Sequence, residues 1–214
     1  MHLNDYCMMM LDRRKRLQPV FWASLNGVTP TKAETGQTLA KTGSVTYQTY
    51  KGIPCAYLPA NAYIDVTNGF SGMVFPSEMT ISFWAYKTNT GTRAYFGWHD
   101  TGSVSVNTNA NRQWLAFGAT DVTTVTTGAW HHMLATASDS YAKADYWLDG
   151  THKGQSTRAE RPLVDVEVDD AVIGDNIARA YHSGPVYMAG LRIYDRVLTP
   201  AEITTLANEF HPTA

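Results

Sequence analysis

From Pro19 onward, apolar and polar residues alternate in short runs broken by clusters of Gly, Asn, Asp and Pro, the spacing an antiparallel sandwich produces. Residues 80–86 show it best. Ile81, Phe83 and Ala85 fall on one face of an extended chain, and Trp84 and Tyr86 on the other, because successive side chains in a strand point to opposite faces. Further runs at residues 20–25, 44–50, 62–66, 94–98, 114–117, 130–136, 144–148, 171–174 and 187–194 bring the expectation to roughly a dozen strands. Asp149-Gly150, set between Leu148 and Thr151, predicts a two-residue hairpin, since both residue types accept positive φ.

One helix is signalled. Thr199-Pro200-Ala201-Glu202 reads as a capping box with proline at the first helical position. Ile203, Leu206, Ala207 and Phe210 follow at i, i+3, i+4 and i+7, a stripe expected to lie on the sandwich until Pro212 ends it. With no internal repeat or low-complexity linker, the pattern predicts an all-β, two-sheet antiparallel sandwich at residues 19–214 with a short C-terminal helix. An arm at residues 1–18 precedes it.

A chain of 214 residues fits one all-β domain. Its net charge of -2 offers no field to attract nucleic acid or an anionic membrane, and no segment approaches the ~20 apolar residues that span a bilayer. Two cysteines, Cys7 and Cys55, make no disulfide framework. In the arm, Met8, Met9, Met10 and Leu11 precede Arg13, Arg14, Lys15 and Arg16. A secretory signal has the reverse order. The apolar and basic residues of the arm lead to the expectation that it contacts another subunit.

The later blocks come in a telling order: Thr80-Ile81-Ser82-Phe83-Trp84, Trp130-His131-His132, Trp147-Leu148-Asp149-Gly150, Val172-Ile173-Gly174, then Gly190-Leu191-Arg192-Ile193-Tyr194-Asp195-Arg196-Val197-Leu198-Thr199. As an ordered set they resemble the laminin-G-like branch of the concanavalin A-like lectin/glucanase superfamily. The likeness covers residues 56–210 and, more weakly, 19–55. It implies a jelly roll of the kind that binds glycans or other proteins; some members hydrolyse glycans with an added carboxylate motif. Where family members commonly carry an acidic pair, this chain has Met188-Ala189-Gly190, and Glu34-Thr35-Gly36-Gln37 replaces an Asp-rich segment. An extracellular-type fold without an export signal leads to the expectation of a non-catalytic phage virion protein. It would be made in the host cytoplasm, decorate a capsid or associate with a fibre, and form homo-oligomers or bind other virion subunits. The alternative is a free-standing carbohydrate-binding module at a cell surface.

Four groups of residues carry candidate chemistry. His131 and His132 are adjacent in a strand, so they face opposite ways and cannot share a metal ion. Asp165, Glu167 and Asp169 alternate as a glucanase carboxylate strand does, but they lack the accompanying aromatics and read as a solvated edge strand. Oxygen ligands for calcium are offered by Asp100, Asp121, Asp139, Asp175 and Asn176; no other cofactor is implied. Trp98, His99, Asp100, Arg179, Tyr181 and His182, at strand ends beside polar residues, are the candidates for stacking on a sugar.

Overall fold

The structure is a computed structural model that describes residues 18–26, 32–67, 78–98, 104–108, 114–116, 124–138, 143–157, 170–175 and 184–210. Its first strands are β1 (Phe21–Ala23), β2 (Thr38–Thr42), β3 (Thr46–Tyr50), β4 (Ile53–Leu58), β5 (Tyr63–Thr67), β6 (Met79–Lys87) and β7 (Arg93–Trp98). The rest are β8 (Val104–Thr108), β9 (Trp114–Ala116), β10 (Trp130–Ser138), β11 (Lys143–Leu148), β12 (Thr151–Thr157), β13 (Asp170–Ile173) and β14 (Val186–Tyr194), followed by the helix α1 (Pro200–Ala207). The larger sheet runs β12-β11-β10-β6-β14-β4-β3, with β1 added on β14; the smaller runs β2-β5-β13-β7-β8-β9. Every pairing is antiparallel. The two-sheet sandwich expected from the alternation is what forms. The pattern missed β2 and β8 and did not resolve β4 from its neighbours.

The main core includes Phe21, Ile81, Phe83, Met133, Leu191 and Ile193 from the larger sheet, and Ile64, Val66, Tyr95, Phe96 and Ile173 from the smaller. One polar device crosses it. Lys87 continues the inward register of Ile81, Phe83 and Ala85, and its buried Nζ donates to Thr108 Oγ1 at 2.9 Å. The same hydroxyl lies 3.1 Å from the Tyr95 phenol. Burial pushes that phenol up to about 12, although Thr108 and Arg93 pull the other way.

The outer face of the larger sheet carries a second layer. Tyr57, Tyr187, Tyr86 and Trp130 stand directly opposite one another across β4, β14, β6 and β10. The β3–β4 hairpin turns on Lys51 (φ 47°) and Gly52 (φ 81°), and Tyr50 stacks on Tyr187 at 3.9 Å. Trp130 Nε1 donates to the Tyr50 carbonyl at 3.1 Å, fastening the hairpin there. Beneath it Cys55 is free and buried, its thiol pushed up to about 11 by burial.

Helix α1 also lies on this face. Its capping box is complete, with Thr199 accepting from the Glu202 N–H and the Glu202 carboxylate accepting from the Thr199 N–H. Ile203 and Leu206 are buried against Leu134, Tyr194 and Leu198. The helix stops at Ala207, before Pro212 is reached, because the Asn208 side chain donates to the Thr204 carbonyl at 2.9 Å and its N–H is shared between Thr204 and Thr205. Phe210 therefore packs from beyond the helix, edge-on to Trp84 at 5.9 Å. It passes over Gly190 (φ +59°), where a Cβ would come within 3.2 Å of its ring.

Candidate ligand-binding groove

Strand β1 is only three residues long, yet it helps to line a concavity. Phe21 and Ala23 point into the core, so Trp22 must point outward. Its register partner on β14 is Arg192, whose guanidinium carbon lies 5.0 Å from the indole centroid. Arg192 is fixed in turn by Glu209, to which both terminal guanidinium nitrogens donate. Burial opposes its charge, but the hydrogen bond and the charge of Glu209 outweigh it and hold the guanidinium pKa above its ordinary value. Arg192 is left only 8% exposed, so its charge is already matched by a carboxylate and an aromatic face.

Residues 33–37 act as a false strand along the free edge of β1. Trp22 N donates to Thr35 Oγ1 at 3.0 Å, Ser24 N to Glu34 Oε2 at 2.8 Å, and Glu34 N to the Trp22 carbonyl at 2.9 Å. Gly36 closes the turn at φ +101°, a conformation that favours glycine. Between this loop and the end of α1 lies a groove of about 1070 Å³. Its lining includes Trp22, Glu34, Thr35 and Arg192, then Thr204, Asn208 and Glu209, and also Gln18 and Pro19. Trp22 Nε1 is shielded from solvent and finds no acceptor. Tyr194 also lines the groove, its phenol pushed up to about 12, mainly by burial. The groove thus offers an aromatic surface, amide and hydroxyl groups, and two carboxylates against one paired guanidinium.

Of the residues singled out in the sequence, Trp98 closes β7 opposite Ala171, whereas Phe96 stands opposite Ile173. The chain therefore leaves Trp98 at the end of the sheet where β13 begins, and Asp175 follows the other end of β13. Asp175 is wholly buried, and its charge acts on Arg93. Burial pulls that guanidinium down to about 10 against the pull of Asp175. Among the described residues no group of three or more His, Cys, Asp or Glu gathers as metal ligands. His99, Asp100, Asp121, Asp139, Asn176, Arg179, Tyr181 and His182 lie outside the described residues. So do Asp165, Glu167, Asp169, and the arm with Cys7, Met8, Met9, Met10, Leu11, Arg13, Arg14, Lys15 and Arg16.

The two histidines diverge as strand geometry requires. His132 is buried, with Nε2 2.9 Å from Ser82 Oγ, its Nδ1 unpartnered, and its pKa pulled down to about 3 by burial. His131 instead bridges Thr126 Oγ1 at 2.7 Å and Asp149 Oδ2 at 2.8 Å.

The sequence model of the concanavalin A-like lectin/glucanases superfamily, in its laminin-G form, matches residues 58–204. The chain belongs to that superfamily. Among solved structures, this superfamily member is similar to the botulinum neurotoxin type G receptor-binding domain, at 14% identity and a TM-score of 0.64 over 89% of this chain and 51% of that one. It is also similar to domain 4 of AbnA, a GH43 extracellular arabinanase from Geobacillus stearothermophilus solved with arabinotriose. There the identity is 19% and the TM-score 0.64 over 89% of this chain and 98% of that one. A Trypanosoma rangeli sialidase mutant displaying trans-sialidase activity matches at 16% and 0.64, over 88% of this chain and 32% of the enzyme. The chain spans about half the length of the toxin binding domain, and at these identities the likeness is one of fold. No curated protein matches the chain in sequence.

Sequence reasoning named Trp22 only as part of a strand and did not find the groove. The alternation of residues 20–25 sets Trp22 on the face opposite Phe21 and Ala23. Its partner could not be read, because the pairing of β1 with β14 joins opposite ends of the chain.

Proposed function

We propose that the protein is a non-catalytic, lectin-like recognition module whose groove takes a neutral saccharide. The observation that carries this reading is Trp22, a half-buried indole braced by Arg192 on the wall of a groove rich in amide and hydroxyl groups. An apolar ring surface beside a few fixed polar groups suits a sugar, which presents C–H faces and hydroxyl edges. Charge narrows the class: with Arg192 committed to Glu209, and Glu34 adding a second carboxylate, a sialic or uronic acid would meet net repulsion. The arabinotriose complex of the similar arabinanase domain supports a saccharide ligand.

Titration calorimetry with neutral oligosaccharides, set beside their acidic counterparts, tests this. Binding of a neutral sugar that Trp22→Ala weakens tenfold or more is expected, since truncating an aromatic anchor costs on the order of 2 kcal/mol. The Tyr57→Ala control, on the separate aromatic row, leaves affinity unchanged. Equal losses in both variants, or a preference for acidic sugars, would rule the groove out. The non-catalytic part is tested by incubating the protein and a Glu167→Gln variant with glucans and galactans; hydrolysis abolished by that change would overturn it.

The setting we propose is the surface of a phage particle. The support is the arm, whose apolar Met8 to Leu11 and basic Arg13 to Arg16 come shortly before Gln18 and Pro19, which line the groove. Deleting residues 1–18 should leave the thermal melt of the sandwich nearly unchanged while abolishing attachment to purified particles. Attachment that survives the deletion counts against the particle.

A further inference from the structure

We infer that the free edge of β3 pairs with the same edge of a second copy of this chain, giving a two-fold dimer with a continuous sheet across the interface. An open edge presents unpaired N–H and C=O groups and is normally blunted. The other edges are. Strand β12 carries His152 and Lys153 and a register shift against Tyr146 and Trp147. On β2 there is Lys41, and Thr38 is bridged by Lys32. Strand β9 has three residues, and β1 is covered by residues 33–37. Among the described residues, strand β3, Thr46-Tyr47-Gln48-Thr49-Tyr50, ends its sheet, and it carries no charge, proline or glycine.

Its hydrogen-bonding phase suits self-pairing. In a two-residue hairpin the flanking residues, Tyr50 and Ile53, form a hydrogen-bonded pair, and such pairs alternate along the ladder. Tyr50, Gln48 and Thr46 thus bond towards β4, while the N–H and C=O groups of Tyr47 and Thr49 point to the free edge. Pro54, with no N–H to give, sits opposite Thr49, as this phase requires. An antiparallel partner centred on Gln48 sets Tyr47 against the partner's Thr49, and Thr49 against the partner's Tyr47. Each pair exchanges two backbone bonds, and the two Gln48 side chains meet on the axis. Nothing in the strand repels its copy. The Lys51 side chains lie at opposite ends, about 20 Å apart at ~3.4 Å per residue and well beyond the ~8–10 Å screening length. Half-exposed Tyr50, Tyr57 and Tyr187 adjoin the edge, so pairing buries aromatic surface as well as backbone.

Sedimentation velocity on the full chain tests this, with charge variants at the axis. Wild type should show a concentration-dependent dimer. Gln48→Lys and Gln48→Glu, each alone, should be monomeric because like charges then stand directly opposite, and an equimolar mixture of the two should dimerise again. Thr49→Pro should also be monomeric, since it removes an N–H that β4 does not use; circular dichroism would verify that it folds. A wild type that stays monomeric up to about 1 mM, where association is worth only ~4 kcal/mol, overturns the inference. So does a dimer that persists in both charge variants, or a mixture that fails to restore it.

Discussion

Asp149 and His132 clasp each other through the backbone. The Asp149 N–H donates to the His132 carbonyl at 2.9 Å, and the His132 N–H donates to Asp149 Oδ1 at 2.8 Å. Asp149 also forms the β11–β12 turn with Gly150, at φ 52° and 73°, and its second carboxylate oxygen meets His131. One residue therefore sets a hairpin and ties its tip to the start of β10.

Asp149→Ala should cost about 1–3 kcal/mol, the usual penalty for unsatisfying a partly buried hydrogen-bond group, with a further cost for alanine at positive φ. Asp149→Asn keeps the turn and an acceptor and should cost less. Urea midpoints at neutral pH order the two. Burial raises the Asp149 pKa, but its bonds to His131 and His132 bring it below the ordinary value. Its contribution is thus present above about pH 4 and fades as pH falls further.

Acid should weaken the fold earlier, through His132. An unfolded histidine takes a proton near pH 6.5, whereas the buried one resists until about 3. Between those values the unfolded state binds more protons, so stability falls as pH drops from about 6.5 towards 3. His132→Gln, which can still bond Ser82, should flatten that slope. Glu202 adds a lower step: held at about 2, chiefly by Arg196, it contributes above about pH 4.5 and loses that contribution as pH falls to 2. Urea unfolding across this pH range reads both.

Gly174 and Gly36 both sit at positive φ, but only one has room. A Cβ on Gly174 would lie 2.5 Å from Leu58 Cδ2 and 2.9 Å from Arg93 Nη2, whereas one on Gly36 meets nothing within 4 Å. Gly36→Ala should cost about 1 kcal/mol for the backbone alone. Gly174→Ala adds overpacking and should lose about 3 kcal/mol or more. Similar melting temperatures for the two would contradict this packing.

Thr199→Ala should remove the helix cap and destabilise by about 1 kcal/mol. Because α1 carries Thr204, and the turn that follows it Asn208 and Glu209, into the groove wall, the same change should weaken saccharide binding more than it weakens the fold. Calorimetry and thermal melts on one sample separate the two effects.

The local features were legible and the long-range ones were not. The Asp149-Gly150 hairpin, the two faces of β6 and the Thr199 capping box each depend on residues within a few positions of one another, and residue chemistry alone predicted them. The burial of Lys87 depends on the Thr108 hydroxyl arriving from the opposite sheet, which nothing near Lys87 in the sequence signals. The helix end was misplaced because Asn208 caps it before proline can act. The groove escaped notice for the same reason as Lys87: Trp22 and Arg192 become neighbours only once the register of β1 on β14 is set. The residues proposed from loop chemistry fall largely outside the described structure, and Trp98 and Asp175 lie towards opposite ends of the β7–β13 pair.

The position of β14 has a consequence for synthesis on the ribosome. This late segment separates β6 from β4 and receives β1, so the middle of the larger sheet stays open until most of the chain has been translated. At about 5–20 residues per second, the strands that hold Phe83 and Phe21 wait many seconds for the strand that will pair between them and their neighbours. Nascent chains stalled before residue 186 should therefore engage chaperones and be readily cleaved, and those released past residue 194 should resist protease. A fold joined first strand to last matures nearly at once rather than piece by piece.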